Sequence, residues 1–184
     1  MTPTLVKLID YSLLPFALLV FGKVVGLYLT ASVFGIELGL ISVPEALLTF
    51  RTVADQADLQ VLSSYSDLFM FVLVATGFSY VLIAALKFHD THIDIKTVNI
   101  LARYNLLMLI KTSYELYHSA AVWVIFIWIA TLVVFINFLA GTTYGFILIG
   151  CFLFSLLTSV AMLRDLFLEI ELSRKRLLEK GLIS

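Results

Sequence analysis

Three long stretches of the chain contain no charged residue, and this feature restricts the possible fold more than any other. They are Leu68 to Leu86, Ser119 to Ala140 and Thr143 to Leu163. A helix needs about 20 mainly apolar residues to cross the roughly 30 Å hydrocarbon core of a bilayer. A fourth stretch, Pro15 to Ile41, is similarly apolar but contains Lys23 and Glu37. These four stretches predict four transmembrane helices.

The composition of the chain agrees with lipid as its surroundings. Of 184 residues, 61% are hydrophobic and 14% are charged, whereas a soluble domain averages about 45–50% apolar and about 25% charged residues. No basic patch with interleaved aromatic residues is present, so nucleic acid is not an expected partner. The N-terminus lacks the basic region and cleavage site of a signal peptide, so we expect the first apolar stretch to stay in the protein.

These observations predict one all-α integral membrane domain, residues 1–184. The spans are about 15–41, 68–86, 119–140 and 143–163. We expect an outer loop over 42–67, an inner amphipathic segment over 88–118 that forms an interfacial helix, and a C-terminal cytoplasmic helix over 164–182. The lipid bilayer is therefore the first expected partner.

The distribution of basic residues predicts how the chain is oriented. Ten of the twelve Lys and Arg residues lie before span one, between spans two and three, or after span four. The opposite side holds only Arg51, within the acidic loop 42–67. Because Lys and Arg concentrate on the cytoplasmic side, we expect both termini to be cytoplasmic, in a plasma or inner membrane.

The first span contains polar residues that share one side of a helix. Lys23, Thr30 and Glu37 follow each other at intervals of seven, which places them within a strip about 40° wide at about 100° per residue. Charges inside a membrane usually face protein or water, so this polar strip could line a pore or face a partner. Alternatively, the Lys23 side chain could snorkel to the headgroups and Glu37 could already lie in the outer interface.

Two series of small residues occupy other sides of the same span. Gly22 and Gly26 form one series, and Ala31, Gly35 and Gly39 form the other. Small residues at four-residue spacing let the backbones of membrane helices approach closely. The two series therefore predict that span one packs against two neighbouring helices.

All three histidines of the chain lie near the inner ends of spans two and three. His89 and His92, like Glu115 and His118, are three residues apart and would share a helical face. Such groups could bind zinc, iron or manganese, respond to pH, or simply form a polar junction with headgroups and water. No nucleotide-binding loop, hydrolase or zinc-protease motif is present, and neither catalytic residues nor a cofactor are predicted.

The leading functional hypothesis is a small homo-oligomeric membrane protein, channel-like or otherwise concerned with permeation, with span one near the shared axis. The main alternative is a non-catalytic accessory subunit, whose Lys23 and Glu37 pair with charges of a larger membrane complex. A second alternative is a metal-dependent membrane enzyme that uses the histidine and carboxylate junction.

Overall fold

The computed structural model describes residues 3–36, 38, 56–87, 102–104 and 113–179. Its four helices are α1, Pro3–Phe34; α2, Gln56–Lys87; α3, Ser113–Leu139; and α4, Gly145–Glu179. Each helix is long and apolar enough to cross a membrane, and the residues described include no strand. For the residues described, the prediction of an all-α protein with four helices long and apolar enough to span a membrane is therefore confirmed.

Helices α2 and α3 form the centre of the bundle, since each of them packs against the other three helices. Helix α1 also contacts α3 but, in the described part of the chain, does not touch α4. Consecutive helices run in opposite directions, so Lys7 of α1 lies beside Glu115 of α3. We call this the terminal end of the bundle, and we call the opposite end, where residues 140–144 join α3 to α4, the turn end.

Helix α1 differs from the predicted first span at both ends. It begins at Pro3 and continues through Pro15, whose side chain is fully buried. It ends at Phe34 rather than near Ile41, because Gly35 has a positive φ of 67°. The Ile36 amide then donates to the Ala31 carbonyl at 2.9 Å, a hydrogen bond that commonly terminates helices at glycine.

Helix α2 begins about three turns before the predicted second span. Residues 56–67, which were predicted to belong to the outer loop, are helical. Similarly, α4 is continuous to Glu179, so no break separates a C-terminal helix from the fourth span. Of the predicted interfacial segment 88–118, the structure describes only 102–104 and 113–118, and residues 113–118 belong to α3; an interfacial helix is therefore not supported.

The bundle core is formed where α2 and α3 meet. Met70, Val74 and Phe78 of α2 and Ile127 and Val134 of α3 are fully buried. Large apolar side chains on the outer surface remain exposed, including Phe21, Ile149, Leu157 and Phe167. A helical bundle in lipid does not need to bury such side chains, because lipid tails are as apolar as leucine.

Candidate functional site: a charge network buried between the helices

Lys23 is buried inside the chain and faces α2. The residue is 4% exposed, and its ammonium forms an ion pair with Asp67. The same Nζ atom donates to Ser66 Oγ at 2.9 Å. Lys23 thus finds its counter-charge on the neighbouring helix of its own chain, and its side chain does not snorkel toward the headgroups.

Asp67 is fully buried and is held by groups from three parts of the chain. Besides Lys23 of α1, Asn137 of α3 donates from Nδ2 to both carboxylate oxygens, at 2.9 and 3.1 Å. Thr143, in the turn before α4, donates from Oγ1 to Oδ2 at 2.7 Å. We refer to Lys23, Ser66, Asp67, Asn137 and Thr143 as the charge network.

Serine side chains of α2 fix the turn that carries Thr143. The Tyr144 amide donates to Ser64 Oγ at 3.0 Å, and Ser64 Oγ donates to the Thr142 carbonyl at 3.4 Å. Gly141 adopts a φ of 73°, a conformation that glycine adopts with little steric cost. The short turn therefore holds Thr143 against Asp67, and the charge network lies close to the turn end of the bundle.

The charges of the network balance within an apolar surrounding. An uncompensated buried charge is expensive, whereas an ion pair whose remaining hydrogen-bonding groups are satisfied is tolerated. Besides its ion pair with Lys23, the Asp67 carboxylate interacts electrostatically with the buried Cys151 thiol of α4. The site is therefore neutral overall and contains one positive charge, on Lys23, and one negative charge, on Asp67.

Asp67 was not among the predicted site residues, although the sequence contained a signal for it. The polar run Ser63 to Asp67 interrupts the apolar pattern, which places Asp67 in the predicted outer loop 42–67. Yet Asp67 directly precedes an uncharged span, and a lysine in another span needs an acidic partner at membrane depth. Asn137 of α3 forms an interhelical hydrogen bond with Asp67 of α2, a contact that asparagine commonly makes between membrane helices.

Thr30, the second residue of the predicted polar strip, does not join the charge network. Thr30 is buried, and its Oγ1 donates to the Gly26 carbonyl of its own helix at 2.7 Å. Glu37 lies outside the described residues. A polar strip that lines a pore or faces a partner therefore stays a prediction.

The first series of small residues lies at the contact between α1 and α2. A Cβ atom on Gly22 would lie 2.9 Å from Met70 Cα, and one on Gly26 would lie 3.0 Å from Ser66 Cα. In the second series, Ala31 is buried beside Leu62, whereas Gly35 has open space around it and ends the helix. Gly39 lies outside the described residues.

The predicted histidine site is only partly described, because His89 and His92 lie outside the described residues. Glu115 accepts a hydrogen bond from Lys7 at 3.2 Å, and His118 is half-buried in α3. Within the ranges that the structure describes, no group of three metal-ligating side chains occurs. Metal binding at the histidines therefore stays a prediction.

Comparison of the chain with family models, with curated proteins and with solved structures found no match. Fold and site are therefore interpreted from their own geometry. The charge network is the arrangement that most needs an explanation, because it places two ionised groups inside an apolar bundle.

Proposed function

We propose that the chain is a membrane-embedded permeation protein, channel-like or transporting, and that the pair formed by Lys23 and Asp67 is its functional centre. One observation carries the proposal: both charges are buried between membrane-spanning helices. Ionisable residues inside membrane-spanning segments are rare and costly, and they commonly belong to ion pathways and proton relays. Stability alone is a weak explanation, because apolar replacements of buried ion pairs are often neutral or stabilising.

The position of the pair supports access from one side of the membrane. Asp67 lies about 16 Å along α2 from Gln56, at 1.5 Å per residue, and contacts Thr143 in the turn. The bias of Lys and Arg toward the terminal end supports an orientation with both termini cytoplasmic. In this orientation, the pair lies near the extracytoplasmic side of a plasma or inner membrane.

The enclosure of Lys23 changes how the permeation hypothesis must be formulated. The side chain points into its own bundle, so Lys23 would not line a pore around a shared axis. We propose instead that permeation requires α1 and α2 to separate at the charge network. We retain homo-oligomerisation as part of the proposal.

The accessory-subunit alternative loses one of its arguments, since Lys23 finds its counter-charge within the chain. The mass of the particle in mild detergent distinguishes a homo-oligomer from a complex with a second membrane protein. A multiple of the 20.6 kDa chain mass supports a homo-oligomer. Co-purification of a second membrane protein in fixed ratio favours the accessory role.

Ion flux into liposomes tests the proposed function. We expect the wild-type protein to raise cation flux above that of protein-free liposomes, and Lys23→Met combined with Asp67→Asn to abolish the increase. The double variant keeps a neutral site of similar volume, so it is expected to fold. Lys7→Met, which removes an exposed ion pair at the terminal end, is the matched control and retains flux.

Two results would contradict the proposal. The first is a wild-type flux no greater than that of empty liposomes for Na⁺, K⁺ and H⁺. The second is a double variant with wild-type flux, which would make the pair purely structural.

A further inference from the structure

We propose that the terminal end of the bundle carries a belt that binds phospholipid headgroups, formed by Tyr11 of α1, Tyr80 of α2 and Arg164 of α4. We call these three residues the headgroup belt. The belt sets the depth of the charge network in the bilayer, and it is independent of the permeation function. It follows from the register of the helices, from the chemistry of the exposed side chains and from the change of the surface on either side of the belt.

The register between α1 and α2 brings the two tyrosines to one level. Gly22 of α1 lies against Met70 of α2, and the two helices run in opposite directions. Tyr11 lies eleven residues before Gly22. Tyr80 lies ten residues after Met70. At about 1.5 Å of rise per residue, the two tyrosines therefore differ in height by only about one residue.

Contacts of α3 bring Arg164 to the same level. The Trp123 ring of α3 lies beside Gly77 of α2, three residues before the tyrosine of that helix. Six residues before Trp123, the Tyr117 hydroxyl donates to Asp165 Oδ2 of α4 at 2.7 Å. Arg164 directly precedes Asp165. It therefore lies within about one helical turn, about 5.4 Å, of the level of the two tyrosines.

The chemistry of the belt fits a layer of phosphate groups and water. Tyr80 is 65% exposed, and Arg164 is exposed. Asp10, next to Tyr11, is also exposed, and an exposed charge does not belong inside the hydrocarbon core. Tyrosine is enriched where a membrane meets water, because its ring is apolar and its hydroxyl is polar. A guanidinium can donate two parallel hydrogen bonds to one phosphate group.

The exposed surface changes character at the belt. Toward the turn end, the exposed side chains are mainly apolar, as at Leu14 of α1, Val72 of α2 and Leu157 of α4. Toward the terminal end, Lys7 and Glu115 form an exposed ion pair at 3.2 Å. Apolar side chains suit lipid tails, whereas exposed charges need water or headgroups. The belt therefore marks the boundary between the two surroundings.

This boundary places the charge network in the half of the bilayer that is nearer to the turn end. Lys23 follows Tyr11 by twelve residues, about 18 Å along α1. Asp67 precedes Tyr80 by thirteen residues, about 20 Å along α2. Because the hydrocarbon core is about 30 Å thick, the two charges lie about 10 Å from its opposite boundary.

Matched spin labels test the position of the belt. The variants Leu8→Cys and Leu14→Cys on α1, and Leu157→Cys and Leu168→Cys on α4, are made singly in a Cys151→Ala background. All four leucines are exposed, so their labels differ in depth rather than in the residue replaced. The full chain is reconstituted in phosphatidylcholine vesicles, and EPR spectroscopy measures the collisions of each label with O₂ and with a water-soluble nickel chelate.

We expect the labels at positions 14 and 157 to collide mainly with O₂, which concentrates among lipid tails. The labels at positions 8 and 168, beyond the belt, are expected to collide mainly with the nickel chelate. Equal nickel accessibility at all four positions would overturn the proposal. Labels at positions 8 and 168 that are shielded from both reagents would also overturn it, because a protein partner would then cover this surface.

Arg164→Gln tests whether the belt binds the phosphate group of a lipid. Thermal unfolding of the full chain is measured in an uncharged detergent, with and without a short-chain phosphatidylcholine. We expect the phospholipid to raise the Tm of the wild type, and Arg164→Gln to lose most of this increase. Arg174→Gln, which changes an exposed arginine ten residues farther along α4, is the matched control and retains the increase.

Two additions identify the source of the phosphate. Inorganic phosphate alone is expected to leave the Tm unchanged, and a diacylglycerol with the same acyl chains to affect the wild type and Arg164→Gln equally. An increase with phosphatidylcholine that is equal in the wild type and in Arg164→Gln overturns headgroup binding, as does an equal increase with inorganic phosphate. Ion flux in liposomes tests the permeation function separately, and neither result depends on the other.

Discussion

Lys23 and Asp67 make the free energy of unfolding depend on whether their charges are removed singly or together. A buried ion pair that loses one partner leaves an unpaired charge, which typically costs about 3–5 kcal/mol. Removal of both charges leaves a neutral site that needs only its hydrogen bonds satisfied. Coupling between these two residues is therefore expected to be larger than for any surface pair of the bundle.

The first prediction is a double-mutant cycle at this pair. We expect Lys23→Met and Asp67→Asn each to destabilise the protein by several kcal/mol, and the double variant to recover at least half of the combined loss. Thermal unfolding in mild detergent measures the effect. Lys7→Met serves as the control, since exposed ion pairs contribute only about 0–1 kcal/mol. Additive losses in the double variant would mean that the charges do not interact.

The sequence could predict that Lys23 needed a partner but not which residue supplied it. Helical spacing within one stretch places Lys23, Thr30 and Glu37 on a common side. Helical spacing contains no information on which residues of α1 and α2 contact each other. The Thr30 hydroxyl donates its hydrogen bond within its own helix. Tertiary structure brings Lys23, Asn137 and Thr143 from separate parts of the chain to the same carboxylate.

At the scale of elements, the contact between α1 and α2 depends on glycines that have no space for a side chain. A Cβ on Gly26 would meet both Ser66 Cα and the Ser66 carbonyl oxygen at 3.0 Å. Gly150 of α4 is also helical but has nothing within 4 Å of its Cβ position. The two glycines therefore form a matched pair for testing the role of close packing.

The second prediction uses this pair. Gly26→Ala is expected to lower the free energy of unfolding, because backbone atoms of α2 would have to move. Gly150→Ala is expected to leave it unchanged or to raise it by up to about 1 kcal/mol, as alanine favours helices over glycine. Chemical or thermal unfolding in detergent compares them. Equal stability changes at both positions would show that α1 and α2 do not approach closely at Gly26.

The third prediction concerns α2 and α3. A Cβ on Gly77 would overlap the Trp123 ring, and Trp123 is itself buried. Gly77→Ala is therefore expected to destabilise the wild type, but to cost clearly less in a Trp123→Phe background, where the ring is smaller. Unfolding measurements on the four proteins of this cycle give the coupling. An absence of coupling would contradict the contact between Gly77 and the Trp123 ring.

The lengths of the elements were harder to predict than their existence. The uncharged runs in α2, α3 and α4 identify membrane-spanning helices because no soluble core could bury them. Hydropathy does not indicate where a helix continues into less apolar sequence, so residues 56–67 are predicted as a loop although they belong to α2. The end of α1 depends on the positive φ angle of Gly35. The spacing of small residues predicts Gly35 as a packing residue and does not indicate this angle.

At the scale of the whole molecule, the alternating helix directions place the two ends of the bundle in different surroundings. Asp58 is exposed near the start of α2, and Arg174 is exposed near the end of α4. The charge network joins α1, α2, α3 and the turn near the end of the bundle that carries Asp58. The ion pair of Lys7 and Glu115 lies at the opposite end, which carries Arg174. If the bundle spans a membrane, the two exposed positions must face opposite sides.

The fourth prediction follows from this geometry. Single cysteines introduced as Asp58→Cys or Arg174→Cys, in a Cys151→Ala background, are treated in intact cells with a membrane-impermeant maleimide. The basic residues concentrate at the end that carries Arg174, and Lys and Arg favour the cytoplasmic side. We therefore expect labelling at position 58 in intact cells and at position 174 only after permeabilisation, with Cys151→Ala alone remaining unlabelled. The reversed pattern would invert the proposed orientation and place the charge network near the cytoplasm, whereas labelling of both positions in intact cells would contradict a bundle that spans the membrane.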